Sequence, residues 1–160
     1  MPNSKYTLLY ILALVTVLMT ACKRQTIYNH YEHTPVDGWE RNDTLSFNIG
    51  PTADSGDYQE EVGLRITALY PFMDISLVIN QTILSTGTTW SDTLNCALTD
   101  EQGSAIGNGV SQYQYRYPLK RLSLNKGESL YITVRHDMKR EILPGITDIG
   151  LIMRKWPSED

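Results

Sequence analysis

A chain of 160 residues, 41% of them hydrophobic, is long enough for one domain with a real core and short for more than one. Its 14 Lys and Arg against 18 Asp and Glu give a formal net charge of −4. That balance argues against nucleic acid as a partner and against an electrostatic grip on anionic lipid, so any membrane contact is expected to come from a lipid anchor and not from a basic face.

An apolar run from Thr7 to Met19 follows Lys5 and ends at Met19-Thr20-Ala21-Cys22. A short basic start, an apolar core and small residues before a cut mark a secretory signal. The run is short for a spanning helix, which needs about 20 apolar residues. The block resembles a bacterial lipobox, with Cys22 as the acceptor. That resemblance implies a diacylglycerol on the Cys22 sulfur, cleavage after Ala21 and a further acyl chain on the freed amine. Residues 1–21 are then a signal peptide, and the mature chain is held at a membrane by lipid.

Residues 22–40 lack a clean period, and Pro35 and Asp37-Gly38 interrupt regular structure, so this stretch reads as a tether. The ordered domain is expected over 41–160. Leu45, Phe47 and Ile49 alternate with polar residues. A polar loop with Asp54, Asp57, Glu60 and Glu61 comes next, and then the rows Val62-Leu64-Ile66, Ile75-Leu77-Ile79 and Leu94-Cys96-Leu98. Asp100 to Gly103 and Asn125-Lys126-Gly127 predict tight turns that need positive φ at glycine. Between them Tyr113, Tyr115 and Tyr117 alternate with Gln112, Gln114 and Arg116. Leu130-Ile132-Val134 gives another inward row, His136 to Leu143 is expected to make one or two helical turns, and a last strand starts at Ile146. About eight short strands with turn residues between them predict an all-β single domain, an antiparallel β-sandwich or jelly roll, with a barrel as the alternative.

Little in this pattern carries chemistry. Gly103, Gly107 and Gly109 superficially resemble a phosphate loop, but a strand-like run follows where a helix is needed, so a bent hairpin is expected. His30 and His33 share a face only on a helix, which Pro35 and Gly38 disfavour. The acidic residues from Asp54 to Glu61 do not follow the spacing of an EF-hand loop. No nucleophile elbow occurs, and hydrolysis would require His136 to lie within hydrogen-bond reach of a Ser or Cys. Cys96 reads as a small buried strand residue. No metal, cofactor or catalytic residue is therefore expected. The tyrosine row Tyr113, Tyr115 and Tyr117 is either a covered core edge or an exposed stripe for a protein or glycan.

An ordered series of short matches resembles the gliding motility-associated lipoprotein GldH family. It comprises the lipobox, Val36-Asp37-Gly38-Trp39, Asn42 to Phe47, Leu64-Arg65-Ile66 with Tyr70-Pro71-Phe72, Ser91 to Leu94, and Leu143 to Gly150. The resemblance implies a lipid-anchored, non-enzymatic protein of the cell envelope, acting beside other motility lipoproteins and a linked secretion system. Only Cys22 transfers as a site. A glycan-binding jelly roll using the tyrosines is the alternative. Lys23, directly after the acceptor cysteine, is compatible with transfer to an outer membrane.

Overall fold

The computed structural model describes residues 25–157, so the stretch read as a signal peptide and the acceptor Cys22 lie outside the described residues. The chain forms ten strands: β1 (Thr26–His33), β2 (Trp39–Glu40), β3 (Leu45–Ile49), β4 (Gly56–Thr67), β5 (Asp74–Ile83), β6 (Thr89–Ala97), β7 (Gln112–Leu124), β8 (Leu130–His136), β9 (Ile142–Leu143) and β10 (Ile146–Lys155).

Two four-stranded antiparallel sheets pack face to face, with orders β1-β10-β4-β7 and β3-β8-β5-β6. The pairs β5–β6, β4–β7, β3–β8 and β1–β10 are nested one outside another, as in a long hairpin folded over on itself. This is the double Greek key of a jelly roll, and the expected sandwich is what forms.

The core is built by alternation. Tyr58, Val62, Leu64 and Ile66 of β4 face Ile75, Leu77 and Ile79 of β5, with Ile132, Val134, Ile149 and Leu151 beside them, all at most 5% exposed. Period-two burial of this kind fills the gap between two sheets with side chains from both. The small β2–β9 ladder pairs Trp39 with Leu143 and closes one end. There Trp39 is fully buried, its indole N–H donates to the Asp43 carbonyl, and its ring stands edge-on against His136.

Three expectations need correction. The stretch read as a tether contains a full strand, since Thr26 to His33 pairs along β10 from Arg154 to Asp148. Tyr31 fixes it. Gly150 and Gly63 are register partners on the outer face of the first sheet, and the absent side chains leave a trough in which the Tyr31 ring lies. A Cβ on either glycine would overlap that ring. Gln114 on the fourth strand donates to the Tyr31 hydroxyl over 3.2 Å, and the Arg65 guanidinium stacks 4.1 Å from the ring.

The polar loop ends earlier than expected, because β4 begins at Gly56 and carries Asp57, Glu60 and Glu61. The segment after His136 forms no helical turn. It bends and returns through β9, with Arg41 N–H bonded to the Glu141 carbonyl.

Candidate functional site

The nested topology gives the sandwich two unlike ends. At the near end, where the described chain starts, lie the turns 50–55, 84–88 and 125–129 and the end of β10. They are short and tied to one another. The Thr52 N–H donates to the Glu128 carbonyl, Gly127 to Thr52, Leu84 to Ser129 and Trp156 to Asp57. Lys126 N–H donates to the Ser55 hydroxyl.

At the far end lie the segments 34–44, 68–73, 98–111 and 137–145. Most of the large apolar residues exposed among the described residues collect there: Val36 (102% exposed), Val110 (91%), Leu69 (74%), Met73, Ile106 and Ile142. Leu84 and Tyr131 are the exceptions. Between the segments 66–72 and 98–105 opens a recess of about 220 Å³ whose lining includes Tyr70, Phe72, Leu98 and Tyr113. Tyr70 and Phe72 meet edge to face, 5.5 Å between centroids. A single aliphatic or aromatic side chain fits a recess of that size and lining. The loops of this end also carry the exposed acids Asp37, Asp43 and Glu101, while Asp100 is half-buried and accepts from the Gln102 and Ser104 N–H groups.

The tyrosine row stands beside this recess, turned inward. Tyr113, Tyr115 and Tyr117 are paired with Ile66, Leu64 and Val62 and so share the core face of β4. The segment after β6 folds over them. Gly107 packs directly on the Tyr115 ring, the Tyr115 hydroxyl donates to the Leu98 carbonyl over 3.0 Å, and the Tyr117 hydroxyl donates to the Ala97 carbonyl. Tyr115 is 5% exposed and the other two are half-buried. The rings of Tyr115 and Tyr117 are nearly parallel, 8° apart, but they form a sandwich edge and not an open platform. The exposed-stripe expectation is corrected to the covered-edge one. A cleft of about 550 Å³ does open alongside, but Gln114, Arg116, Asn108 and Ile106 contribute to its walls as much as the tyrosines do.

Gly103 takes φ +82°, with its N–H bonded to the Asp100 carbonyl, as the tight-turn reading requires. Asn108 then pairs with Gln114 on the free edge of β7. The glycine segment is thus an edge cover, not a phosphate loop. Two residues beyond Arg116 on the same outward register, Pro118 removes a donor from that edge, which blunts strand-to-strand association.

The remaining candidates separate. His30 bonds Glu32 over 2.9 Å, while His33 faces Asp148 on the outer side. Strand alternation divides two residues three apart between opposite faces. The acids once grouped in one loop have separate partners: Asp54 takes Lys155, Asp57 takes Ser123, and Glu61 takes Arg154. Among the described residues no three His, Cys, Asp or Glu side chains converge as metal ligands. His136 is fully buried; its Nε2 donates to the Trp39 carbonyl, so Nδ1 accepts from the Met138 N–H, and burial holds its pKa below the ordinary value. Cys96 is free and buried, and its thiol is pushed up to about 12 by desolvation.

One feature escaped the sequence reading. Glu60 points into the core with no exposure, and Gln81 from the facing sheet donates to its Oε2 over 3.1 Å. Glu60 Oε1, the single amide oxygen of Gln81 and the indole nitrogen of Trp90, the strand partner of Gln81, find no hydrogen-bond partner among the described residues. On the β6–β7 side Lys120 bonds Asp92 over 3.1 Å and lies 5.0 Å from the Trp90 ring. Desolvation pushes the Glu60 carboxyl up to about 7. Extending the row Ile66-Leu64-Val62 backwards by two positions was the signal that could have found it.

The chain is 27% identical over 148 residues to the gliding motility lipoprotein GldH of Flavobacterium johnsoniae, covering 88% of this chain and 91% of that protein. Among solved structures it is similar to a family 115 4-O-methyl-α-glucuronidase, at 11% identity and a TM-score of 0.45, over 87% of this chain but only 19% of the glucuronidase. It is also similar to a carbohydrate-binding module specific for non-crystalline cellulose, at 8% identity and a TM-score of 0.43, covering 78% of this chain and 69% of the module. The family model described as GldH lipoprotein matches residues 26–153, nearly the whole of the described sandwich, and the chain belongs to that family.

Proposed function

We propose that this lipoprotein is anchored through acylated Cys22 in the outer membrane and works without catalysis. In this reading it binds other proteins of the envelope motility machinery through the far end of its sandwich. The observation that carries the reading is the gathering of Val36, Leu69, Met73, Ile106, Val110 and Ile142 around an aromatic-lined recess at that end. Large apolar side chains exposed together mark contact surfaces. Confinement to a membrane plane raises the effective concentration of partners in the same plane, so a modest interface suffices.

The chemistry of the described residues supports a binding role. The three imidazoles are engaged with Glu32, with Asp148, and with Trp39 and Met138, and the one described thiol is buried. None is set beside a nucleophile in the manner of general-base catalysis.

Site-specific photocrosslinking in living cells tests the proposal. Probes at Leu69, Val36 and Ile106 are expected to give discrete adducts with envelope proteins, while a probe at Asn48 on the β3 edge gives none. Adducts at Asn48 with none at the far end would overturn it.

A further inference from the structure

The net charge of the chain conceals a polarity. At the near end every carboxylate of the described residues is engaged within the protein. Asp54 is bonded to Lys155 over 2.8 Å, Asp57 accepts from Ser123, and Glu128 turns inward to the Asn125 N–H over 2.7 Å. Lys126 projects from its turn fully in solvent, and Arg121 stacks 3.6 Å from the Trp156 ring. Leu84 is the exposed large aliphatic residue of this end, at 58%. The far end carries the larger share of the exposed acids, Asp37, Glu40, Asp43, Glu101, Asp137 and Glu141, against the exposed cations Lys139 and Arg140. A half-buried Trp, an exposed Leu and the cations Lys126 and Arg121 at one end form the set of side chains that favours a bilayer interface.

Chain length makes this end the one that meets lipid. Cys22 precedes Thr26, the first residue of β1, by four positions. Four residues span at most about 14 Å. Because the expected tether is a strand, the leash from Cys22 to the sandwich is only those four residues, and the start of β1, at the near end, stays within that distance of the acylated position. The alternative is that the domain topples about β1 onto its β1–β3 side. That side presents the polar Asn29, Ser46 and Asn48 together with Glu32 and the exposed imidazoles of His30 and His33, and β1 and β3 contain no lysine or arginine to hold a headgroup phosphate.

We propose that the near end, through Lys126, Leu84 and the Arg121–Trp156 stack, is a lipid-headgroup contact that stands the domain upright on its membrane. The proposal rests on Cys22 being the acylated residue. With the strands upright, β7 alone, at 13 residues and about 3.3 Å each, lifts the far end roughly 40 Å from the headgroups.

Hydrogen exchange on the full lipidated protein tests this. The protein is compared in detergent micelles and in nanodiscs of phosphatidylcholine, with and without phosphatidylglycerol. Exchange in the turns 84–88 and 125–127 is expected to slow several-fold in nanodiscs, more with the anionic lipid, while 69–73 and 98–110 are unchanged. Lys126→Glu is expected to remove the anionic-lipid component. A flexible Gly-Ser insertion after Arg24 is expected to weaken protection at both turns. Protection along Thr26 to His33 and Leu45 to Ile49 instead, or at no segment, overturns the upright contact. Intact mass separates the two readings. Acylated material with unprotected turns overturns the contact alone, and an unmodified Cys22 overturns both.

Discussion

Gln81 donates its side-chain amide to Glu60 Oε2 across the gap between the two sheets, at 3.1 Å, with both side chains closed off from solvent. A carboxyl group in that position is stable chiefly as the neutral acid, which is why desolvation pushes it up to about 7 against an ordinary 4.5. In the unfolded chain the group ionises near its ordinary value. The stabilising contribution is therefore fully present below about pH 4.5 and is lost as pH rises through about 7, since the folded state holds the proton longer. The whole effect is of the order of 3 kcal/mol. Glu60→Gln keeps the shape and an acceptor for Gln81. We expect it to match the wild type in urea unfolding at pH 5 and to exceed it by about 2–3 kcal/mol at pH 8. Equal loss at both values would show that the carboxyl does not titrate this way.

His136 gives the opposite slope. Its pKa is held below the ordinary 6.5 by burial against Trp39, so its contribution is present above that value and is lost as pH falls below it. Thermal unfolding of wild type and His136→Gln between pH 4 and pH 8 is expected to converge on acidification. The variant is expected to be the less stable at pH 8, because its side chain does not reproduce the edge-on packing on Trp39.

The seat of Tyr31 predicts strong coupling. Gly63→Ala places a methyl group in the ring of Tyr31 and is expected to cost about 1–3 kcal/mol. Once Tyr31 is removed, the same substitution should cost much less. A double-mutant cycle of Gly63→Ala with Tyr31→Ala, read by chemical denaturation, should return a coupling of at least about 1 kcal/mol. Simple additivity would mean that the ring does not occupy the glycine trough.

Cys96 should be silent in the folded protein. With its thiol buried and raised to about 12, Ellman's reagent is expected to label it only at the rate of global unfolding, and fully in denaturant. Rapid labelling of the native domain would place the β6 edge in an open state.

Charge placed on the far end should separate stability from function. Leu69→Glu with Met73→Glu adds like charge to an acidic, solvent-exposed surface and is expected to change folding stability by no more than about 0.5 kcal/mol. The same pair is expected to abolish partner crosslinking and surface spreading in cells. Asn48→Glu, on the exposed β3 edge, should leave crosslinking intact.

The strands with clean alternation were legible in the sequence: Leu45 to Ile49, Ile75 to Ile83 and Leu130 to Val134 stand where their patterns put them. The strand Thr26–His33 was not. It lies at the edge of its sheet, where Asn29, His30 and Glu32 are solvated or only half covered, and its one firmly seated residue, Tyr31, packs on glycines that carry no pattern of their own. The start of β4 was hidden for a related reason, because the inward position is held by a glutamate and breaks the apolar row. The tyrosine row had the right period, but which face was covered depends on a fold-over of residues 98–108 from outside the strand. The gathering of apolar residues at one end could not be read locally, since Val36, Leu69, Ile106 and Ile142 are brought together only by the nested pairing of distant strands.

The place of β1 has a mechanical consequence. Tension between a fixed N-terminus and a partner gripping the far end runs along β1, parallel to its ladder with β10. The hydrogen bonds from Thr26 to His33 are then sheared together instead of peeled one by one, and the Tyr31 ring, keyed into Gly63 and Gly150, acts as a ratchet tooth against sliding. An anchor entering through a strand laid this way resists a tug far better than one entering at a hairpin tip.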